Sequence, residues 1–304
     1  MTSTKYPEDR VDEPSPLPPG AVPAVDALGG AAATGNRLRL VGTGLRLYGP
    51  PAVVFVLFLA AWYAFSASMS PRRRSVVLPY PHEAFQEAFL VWENLSELLN
   101  GLWITTQVAI VGLVIAIVLG VIIAVAMSQG AWIERSFYPY AVTLQAIPIL
   151  ALVPLIGTIW GFEFRSRVLV CVIIAIFPII TNTLFGLKSA ERGLHDLFTL
   201  HNASRWTRFK KLQLPNALPA MFTGLRISAG LSVIGAIVGE FFFRRGDQGL
   251  GILIDKYRNE LEPELMVGAV FWSAVLGIAV FVMFGWLANR MTRSWHESAS
   301  GGLQ

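Results

Sequence analysis

Few residues of this chain could do chemistry inside an apolar setting. Arg226 and Glu240 are the ionisable side chains of one long apolar segment, LPAMFTGLRISAGLSVIGAIVGEFFF. An acid–base or ion-pair site would need the two groups close together. On a helix that rises about 1.5 Å per residue, their spacing in the sequence corresponds to roughly 21 Å. The two groups therefore cannot pair. We expect Arg226 to reach one face of the membrane and Glu240 to lie near the other.

The other reactive side chains form no catalytic or metal-binding arrangement. The single cysteine, Cys171, lies inside an apolar run, and the histidines have no metal-ligand spacing. No nucleophile elbow is present. The chain also lacks a G-x-x-x-x-G-K-[ST] sequence, so it has no Walker-type ATP site of its own. We therefore expect a non-enzymatic protein that binds no cofactor itself. The histidines are His82, His195, His201 and His296.

Composition indicates that membrane helices position these residues. The chain is 54% hydrophobic and 14% charged, whereas soluble domains carry about 25% charged residues. Its apolar runs of about twenty residues predict an all-α polytopic membrane protein. Basic residues beside the runs account for the net charge of +4, so no nucleic-acid partner is expected. Six spans are predicted, near residues 50–68, 102–127, 137–160, 166–187, 219–243 and 265–289.

The chain divides into three predicted parts. Residues 1–40 are rich in Pro, Gly, Ala and acidic side chains and predict a disordered N-terminal segment. Residues 41–290 form the transmembrane domain, and residues 291–304 a short basic tail. Within the domain, the segment from Phe85 to Leu99 places Phe, Trp and Leu opposite Glu and predicts an amphipathic interfacial helix.

The distribution of basic residues between loops predicts the orientation. Lys and Arg are in excess on the side that holds both termini and residues 188–218, which favours a cytoplasmic location for that side. The triplet Arg72–Arg74 lies on the opposite side and reduces the bias.

A basic island, DLFTLHNASRWTRFKKLQLPNALP, separates the fourth and fifth predicted spans. Trp206, Phe209 and Leu212 recur at every third residue and predict a short helix with one apolar ridge. We expect Pro215 and Pro219 to end this helix before the fifth span, since proline lacks an N–H and obstructs the preceding turn. Two interpretations remain open: a helix resting on lipid headgroups, and a docking helix for a soluble partner.

Prolines also interrupt the third and fourth predicted spans. Gln145 precedes Pro148 in the third. A broken helix frees backbone groups that protein or a water-lined cavity must satisfy. Gln145, Pro148 and Glu240 are therefore candidates for a translocation path. Simple packing kinks are an equal alternative.

The island resembles the cytoplasmic signature of the permease subunits of bacterial binding-protein-dependent ABC importers. That signature reads E-A-A-x-x-x-G followed by I-x-L-P. Asp196, Leu197 and Phe198 fall on E-A-A, and Asn202 falls on the glycine. Asn in place of Gly is tolerable here, because Asn also accepts left-handed turns. The matching ends with Leu212, Gln213, Leu214 and Pro215 on I-x-L-P.

Three further stretches, in the right order, look like the group of these importers that handles nitrate, sulfonates, taurine and thiamine-pyrimidine precursors. They are LPYP at 78–81, QAIPILALVPLIGTIWG from Gln145, and GLRISAGLSVIGAIVGE up to Glu240 with the following Gly249-Leu250-Gly251.

The resemblance implies a type I ABC importer permease fold in a bacterial inner membrane, with both termini cytoplasmic. It implies a translocation path for a small organic or anionic solute that an extracytoplasmic binding protein delivers. A second permease copy and two ATPase subunits, which bind the ATP, would complete the complex. The docking residues that it implies are Asp196, Asn202, Ala203, Ser204, Arg205, Trp206, Phe209, Leu214 and Pro215.

Two other classes of function remain compatible with the sequence. One is a secondary carrier or integral-membrane enzyme, which solute flux through the chain alone would support. The other is a membrane sensor that uses the permease fold without transport. Complex formation without ATP-stimulated uptake would support the sensor.

Overall fold

A computed structural model describes residues 31–292 of the chain, with side chains described from 49 to 291. Every regular element in this range is helical. Two five-residue π-helical turns, Gln86–Leu90 and Phe209–Gln213, interrupt the α-helices. The α-helices are α1 (Ala31–Ala67), α2 (Pro71–Val77), α3 (Pro81–Phe85), α4 (Trp92–Ser128), α5 (Ala131–Ala146), α6 (Ile149–Trp160), α7 (Phe164–Lys188), α8 (Arg192–Leu200), α9 (Arg205–Arg208), α10 (Leu214–Phe242), α11 (Leu250–Glu260) and α12 (Pro263–Thr292).

The helices confirm a polytopic membrane protein, but the third predicted span is not one straight helix. In its place α5 and α6 meet at 97°. Pro148 disfavours helical geometry at the residue before it, and Ile147 is extended, with φ −71° and ψ 125°. Counting the bent pair as one span gives the six that the sequence predicts. The other five are Gly49–Ala67, Trp92–Ser128, Phe164–Lys188, Arg205–Phe242 and Pro263–Met291.

The first helix begins inside the segment predicted to be disordered. Residues 31–40 belong to α1, which corrects that part of the prediction. Ala31, Ala32 and Ala33 are strong helix formers and explain the early start. The prediction for residues 1–30, and that for the tail from 293 on, lie outside the described residues. The chain forms two compact units, the first ending at Ala61 and the second beginning at Trp62; the site described below lies wholly in the second.

The predicted amphipathic helix between the first two spans is wrong as a single element. Val91 is extended, with φ −86° and ψ 111°, and separates α3 and its π-helical turn from α4. The residues from Trp92 onward therefore belong to the second span. The break lets Phe89 contact α12, where its ring lies edge-on to Phe271 at 5.1 Å between centroids.

Helix α7 is the centre of the second unit. Of its most apolar stretch 61% is buried, against 39% for α4 and 22% for α12. Small residues on its neighbours make this burial possible. At Gly235 of α10, an added Cβ would lie 2.8 Å from the Cα of Cys171 on α7. The small face predicted for the fifth span is therefore where α10 meets α7.

Candidate functional site

Helices α7 and α10 form an antiparallel pair that is in close contact from end to end. At one end, a Cβ added to Gly186 would lie 2.9 Å from the Cα of Ala217. At the other end, a Cβ added to Gly239 would lie 3.1 Å from the Cα of Arg167. Residues 189–213, called the connector below, join the two helices at the Gly186 end. The α10–α11 loop, residues 243–249, lies at the Arg167 end.

Polar contacts hold the base of the connector against the helix bundle. The Lys188 ammonium forms an ion pair with Glu134 of α5, at 2.7 Å. The side-chain amide of Asn216, in the first turn of α10, donates a hydrogen bond to the Ser189 hydroxyl at 2.8 Å. These contacts anchor the two ends of the connector, while its middle projects from the bundle.

The first half of the connector is α8, which ends in a left-handed turn at Asn202. Asn202 has φ +48°. Its N–H donates to the carbonyl of Thr199, and the N–H of Ala203 donates to the carbonyl of Phe198, both at 3.0 Å. This pair of hydrogen bonds is a Schellman motif, in which glycine is favoured and asparagine is the usual substitute. The structure thus gives Asn202 the backbone conformation expected at the glycine position of the signature.

The second half begins at once after this turn. The hydroxyl of Ser204 accepts a hydrogen bond from the N–H of Thr207 at 3.2 Å and caps α9. The Arg208 guanidinium donates to the Thr199 hydroxyl at 2.8 Å, so it links α9 back to α8. The connector is therefore a helix–turn–helix whose arms are joined by a defined turn and by one side-chain bond.

The predicted stop at the prolines is wrong, because the helix runs on from Arg205 to Phe242. The N–H of Leu214 reaches back five residues to the carbonyl of Phe209, which forms a π-helical turn. Pro215 follows directly after this turn, as the second residue of α10. Pro219 lies inside α10 without ending it. The second arm of the connector is thus continuous with the fifth span.

The predicted apolar ridge does not lie on one exposed face. Trp206 is 69% exposed and stacks on Phe209 at 5.6 Å between centroids. Leu212 is only 8% exposed and packs inside the chain. The extra, π-helical residue in this segment shifts the register, so a spacing of three no longer keeps one face. Leu212 is therefore a core residue.

Besides Trp206, the connector exposes three large apolar side chains that the sequence interpretation missed. Leu194, Leu197 and Leu200 of α8 are 42%, 49% and 79% exposed. We call them the connector leucines. Their spacing of three residues could have predicted a second apolar stripe. In the comparison with E-A-A, however, Leu197 was matched only to the first alanine. Exposed apolar groups on a polar segment indicate a surface for a partner.

The structure brings all nine predicted docking residues into the connector and the first turn of α10. Five of them are exposed in the single chain: Asp196, Asn202, Ser204, Arg205 and Trp206. The other four, half-buried, are Ala203, Phe209, Leu214 and Pro215.

The three predicted path residues are not brought together. Gln145 and Pro148 are exposed at the bend between α5 and α6. Glu240 is fully buried within the chain. Its carboxylate accepts hydrogen bonds from the Thr105 hydroxyl of α4 at 2.8 Å and from the N–H of Gly251 at 2.9 Å. The Glu240 carboxylate is thus bonded to groups of its own chain and is not exposed with Gln145 and Pro148 at the bend.

Arg226 has a partner that the sequence did not reveal. Its guanidinium carbon lies 3.9 Å from the centre of the Phe281 ring on α12, so it makes a cation–π contact. In the part of the chain that the structure describes, no group of three or more His, Cys, Asp or Glu side chains could hold a metal ion.

Comparisons with known proteins agree with this geometry. A family model described as "binding-protein-dependent transport system inner membrane component" matches residues 116–293. The chain is 32% identical over 239 residues to the formylaminopyrimidine transport permease protein ThiX of Halalkalibacterium halodurans, covering 79% of this chain and 93% of that protein. It is 24% identical over 263 residues to the nitrate import permease protein NrtB of Leptolyngbya laminosa, covering 83% and 90%.

A solved structure shows the same fold. A chain of the MetNI methionine ABC transporter, in an inward-facing conformation, superposes with a TM-score of 0.55 at 19% identity. The match covers 67% of this chain and 97% of that chain.

Proposed function

The chain belongs to the family of inner-membrane components of binding-protein-dependent transport systems, and from this premise we propose that its connector docks a separate ATPase. It is the membrane-spanning permease subunit of an ABC importer; it forms a translocation path and is not an enzyme. ATP hydrolysis belongs to another subunit, so a surface of this chain must receive the movement of that subunit.

The exposed apolar side chains of the connector carry this proposal. The connector leucines and Trp206 project from a segment that also holds Arg192, Arg205, Lys210 and Lys211. Apolar side chains supply buried area at an interface, and basic side chains supply orientation. A helix that only rests on lipid lies in the plane of the membrane surface, with its leucines on the lipid side and its basic residues on the water side. The left-handed turn at Asn202 instead divides the exposed apolar side chains between two arms, the connector leucines on α8 and Trp206 on α9, and a two-armed segment favours insertion into a protein groove.

This proposal places the connector in the cytoplasm, where ATPase subunits are found. The end of the bundle that holds the α10–α11 loop then faces the extracytoplasmic side, where a binding protein delivers solute. Both chain termini are cytoplasmic in this orientation, as the distribution of basic residues predicts.

Co-purification tests the docking proposal. Trp206→Glu and Leu200→Glu each place a carboxylate on an exposed apolar position, and each should abolish co-purification of the ATPase while the permease still folds. Arg72→Glu, in α2 and outside the connector, is the control and should retain the ATPase. Full retention in both connector variants would refute docking at this segment.

We also propose that the bend between α5 and α6 faces a water-lined path shared with a second copy of the chain. Gln145 is exposed at this bend, and lipid cannot hydrogen-bond its amide or the backbone groups freed at Ile147 and Pro148. Among the described residues of α5 only Ala141 is buried, so most of this helix lacks a protein neighbour within its own chain. The mass of the purified complex, measured by native mass spectrometry, should correspond to two copies of the permease; one copy would contradict this.

The solute itself we infer to be a small organic molecule. Residues 136–163, which include the bend, contain no Lys or Arg to attract an inorganic anion, and they expose Tyr138, Tyr140 and Trp160. Aromatic faces suit a flat organic ring. The named solute of the ThiX relative, formylaminopyrimidine, is of that kind, whereas nitrate, named for NrtB, is not. Mass spectrometry of the ligand that copurifies with the cognate binding protein tests this inference; nitrate would overturn it.

A further inference from the structure

Two buried charged side chains, one on each helix of the α7–α10 pair, hydrogen-bond to the backbone of the α10–α11 loop and of the start of α11. Arg167 of α7 is 1% exposed. Its guanidinium donates to the backbone carbonyl of Asp247 at 2.8 Å and to that of Arg245. Arg167 is thus a core residue whose hydrogen bonds go to the loop backbone.

Glu240 of α10 makes the second grip, on the start of α11. One carboxylate oxygen accepts the N–H of Gly251 at 2.9 Å and the hydroxyl of Thr105 at 2.8 Å. The Thr105 oxygen in turn accepts the N–H of Leu250 at 2.8 Å. The first N–H groups of a helix have no partner inside that helix, and a negative charge is favoured there. Glu240 and Thr105 therefore fix the N-terminus of α11 to α10 and α4.

Glycines make room for this arrangement. A Cβ added to Gly249 would overlap the Glu240 carboxylate, and one added to Gly251 would overlap the carbonyl oxygen of Ile237. The Gly249-Leu250-Gly251 sequence, which has no phosphate-loop spacing, is thus explained by the close approach of the α11 backbone to α10.

The far end of α11 is held to α4. Glu97 accepts hydrogen bonds from the Lys256 ammonium at 2.7 Å and from the Tyr257 hydroxyl at 2.9 Å. The hydrogen bond from Lys256 to Glu97 raises the pKa of Lys256. Burial is the main cause that raises the pKa of Tyr257. Helix α11 is therefore bonded to α10 and α4 at its start and to α4 near its end, and at its start a shift of α10 is passed to it through Glu240.

We propose that Glu240 and Arg167 are positioning residues through which the α7–α10 pair moves α11 when the ATPase displaces the connector. The α7–α10 pair links the connector to α11. The connector joins α7 to α10 at one end of the pair, and side chains of both helices hydrogen-bond to the α10–α11 loop and the start of α11 at the other. Close backbone contact along the pair leaves no layer of side chains that could absorb a shift. This inference rests on the proposed docking of the ATPase at the connector.

Spin labels at the two ends of the pair test this transmission. His201→Cys reports on the connector and Glu260→Cys on the exposed end of α11, while the native Cys171 is fully buried and escapes labelling. The complex with its co-purified ATPase is reconstituted in nanodiscs, and spectra are recorded with and without ATP. Both labels should change their mobility on addition of ATP.

The positioning role is read from substitutions in this background. Glu240→Ala should leave the connector response intact and reduce the α11 response about fivefold or more, because the N–H of Gly251 loses its acceptor and Thr105 loses the carboxylate that orients its hydroxyl. Glu240→Gln keeps an acceptor oxygen and should retain more than about half of the α11 response. Arg226→Met, in the same helix but without contact to the loop, is the control and should respond fully. Arg167→Met removes the other grip and is measured in the same way if Glu240→Ala does not assemble.

The outcomes separate this inference from the docking proposal. A wild-type α11 response in Glu240→Ala and Arg167→Met, or an α11 label that ignores ATP while the connector label responds, would overturn the inference and leave docking intact. Failure of both labels to respond in the wild-type background would overturn docking and the inference together.

Discussion

The turn at Asn202 offers a quantitative test of how the connector is built. Its φ of +48° lies in the left-handed region, which costs an ordinary L-residue roughly 1–2 kcal/mol. Glycine adopts this region without strain, asparagine tolerates it, and a β-branched residue is disfavoured there. Asn202→Val should therefore destabilise the turn by about 1–2 kcal/mol relative to the native chain.

The loss should appear in docking and not in the stability of the bundle. Asn202 is exposed, and the turn only sets the direction of α9 relative to α8. If the ATPase requires that direction, about 1–2 kcal/mol corresponds to about 5- to 30-fold weaker binding. The affinity of the purified ATPase for the detergent-solubilised permease is the assay, with thermal unfolding of the permease measured in parallel.

Asn202→Gly separates the backbone effect from a side-chain contact. Glycine removes the same side chain but favours the turn, so this variant should bind the ATPase at least as tightly as the native chain. Equal weakening in Asn202→Gly and Asn202→Val would refute the argument, because it would show that the Asn202 side chain itself makes the contact.

Three further predictions concern stability. Gly235→Ala places a Cβ 2.8 Å from the Cα of Cys171 and should destabilise the α7–α10 pair by about 1–3 kcal/mol, whereas Gly230→Ala faces open space and should be tolerated; thermal unfolding in detergent compares them, and equal stabilities would contradict the packing described. Leu212→Ala removes a core side chain and should lower the free energy of unfolding by about 2–5 kcal/mol, whereas Trp206→Ala should leave the unfolding temperature nearly unchanged while it weakens docking. A larger loss of stability in Trp206→Ala than in Leu212→Ala would show that Leu212 lies on the exposed ridge that the sequence predicts. The ion pair of Lys256 with Glu97 raises the pKa of Lys256, so between neutral pH and the ordinary lysine pKa of about 10.4 its stabilisation is fully present, and it is lost as pH rises through the raised value; the stability difference from Lys256→Met, followed by unfolding from neutral pH upward, should shrink as pH passes that value.

The sequence was sufficient for the fold class because long apolar runs leave helices as the only way to satisfy the backbone in lipid. The conformation of Asn202 could be predicted for a similar reason. Few residue types accept a left-handed turn, so an asparagine at the glycine position of the signature indicates a positive φ there. The bend at Ile147 and Pro148 was signalled by proline, although its angle of 97° was not.

Two of the errors at the connector come from the same π-helical turn. Proline was expected to stop the helix at Pro215, but the turn ahead of Pro215 already rearranges the hydrogen bonds that this proline would break. The same turn shifts Leu212 into the core and leaves Trp206 outside. A single inserted residue is invisible to a periodicity count, which assumes one register throughout.

The grip on the α10–α11 loop could not be predicted from spacing. Arg167 and Glu240 are far apart in the sequence, and their partners are mainly backbone atoms, which every residue carries. Only the antiparallel alignment of α7 with α10 brings the two side chains to the same loop.

Site-specific photo-crosslinking from Leu200 tests the central claim most directly. Leu200 is 79% exposed at the tip of α8, so a photoreactive residue in its place should crosslink to the ATPase subunit in native membranes. The same probe at Arg72, in α2 and outside the connector, should not. Crosslinks to the ATPase from Arg72 and none from Leu200 would contradict the assignment of the connector as the docking segment.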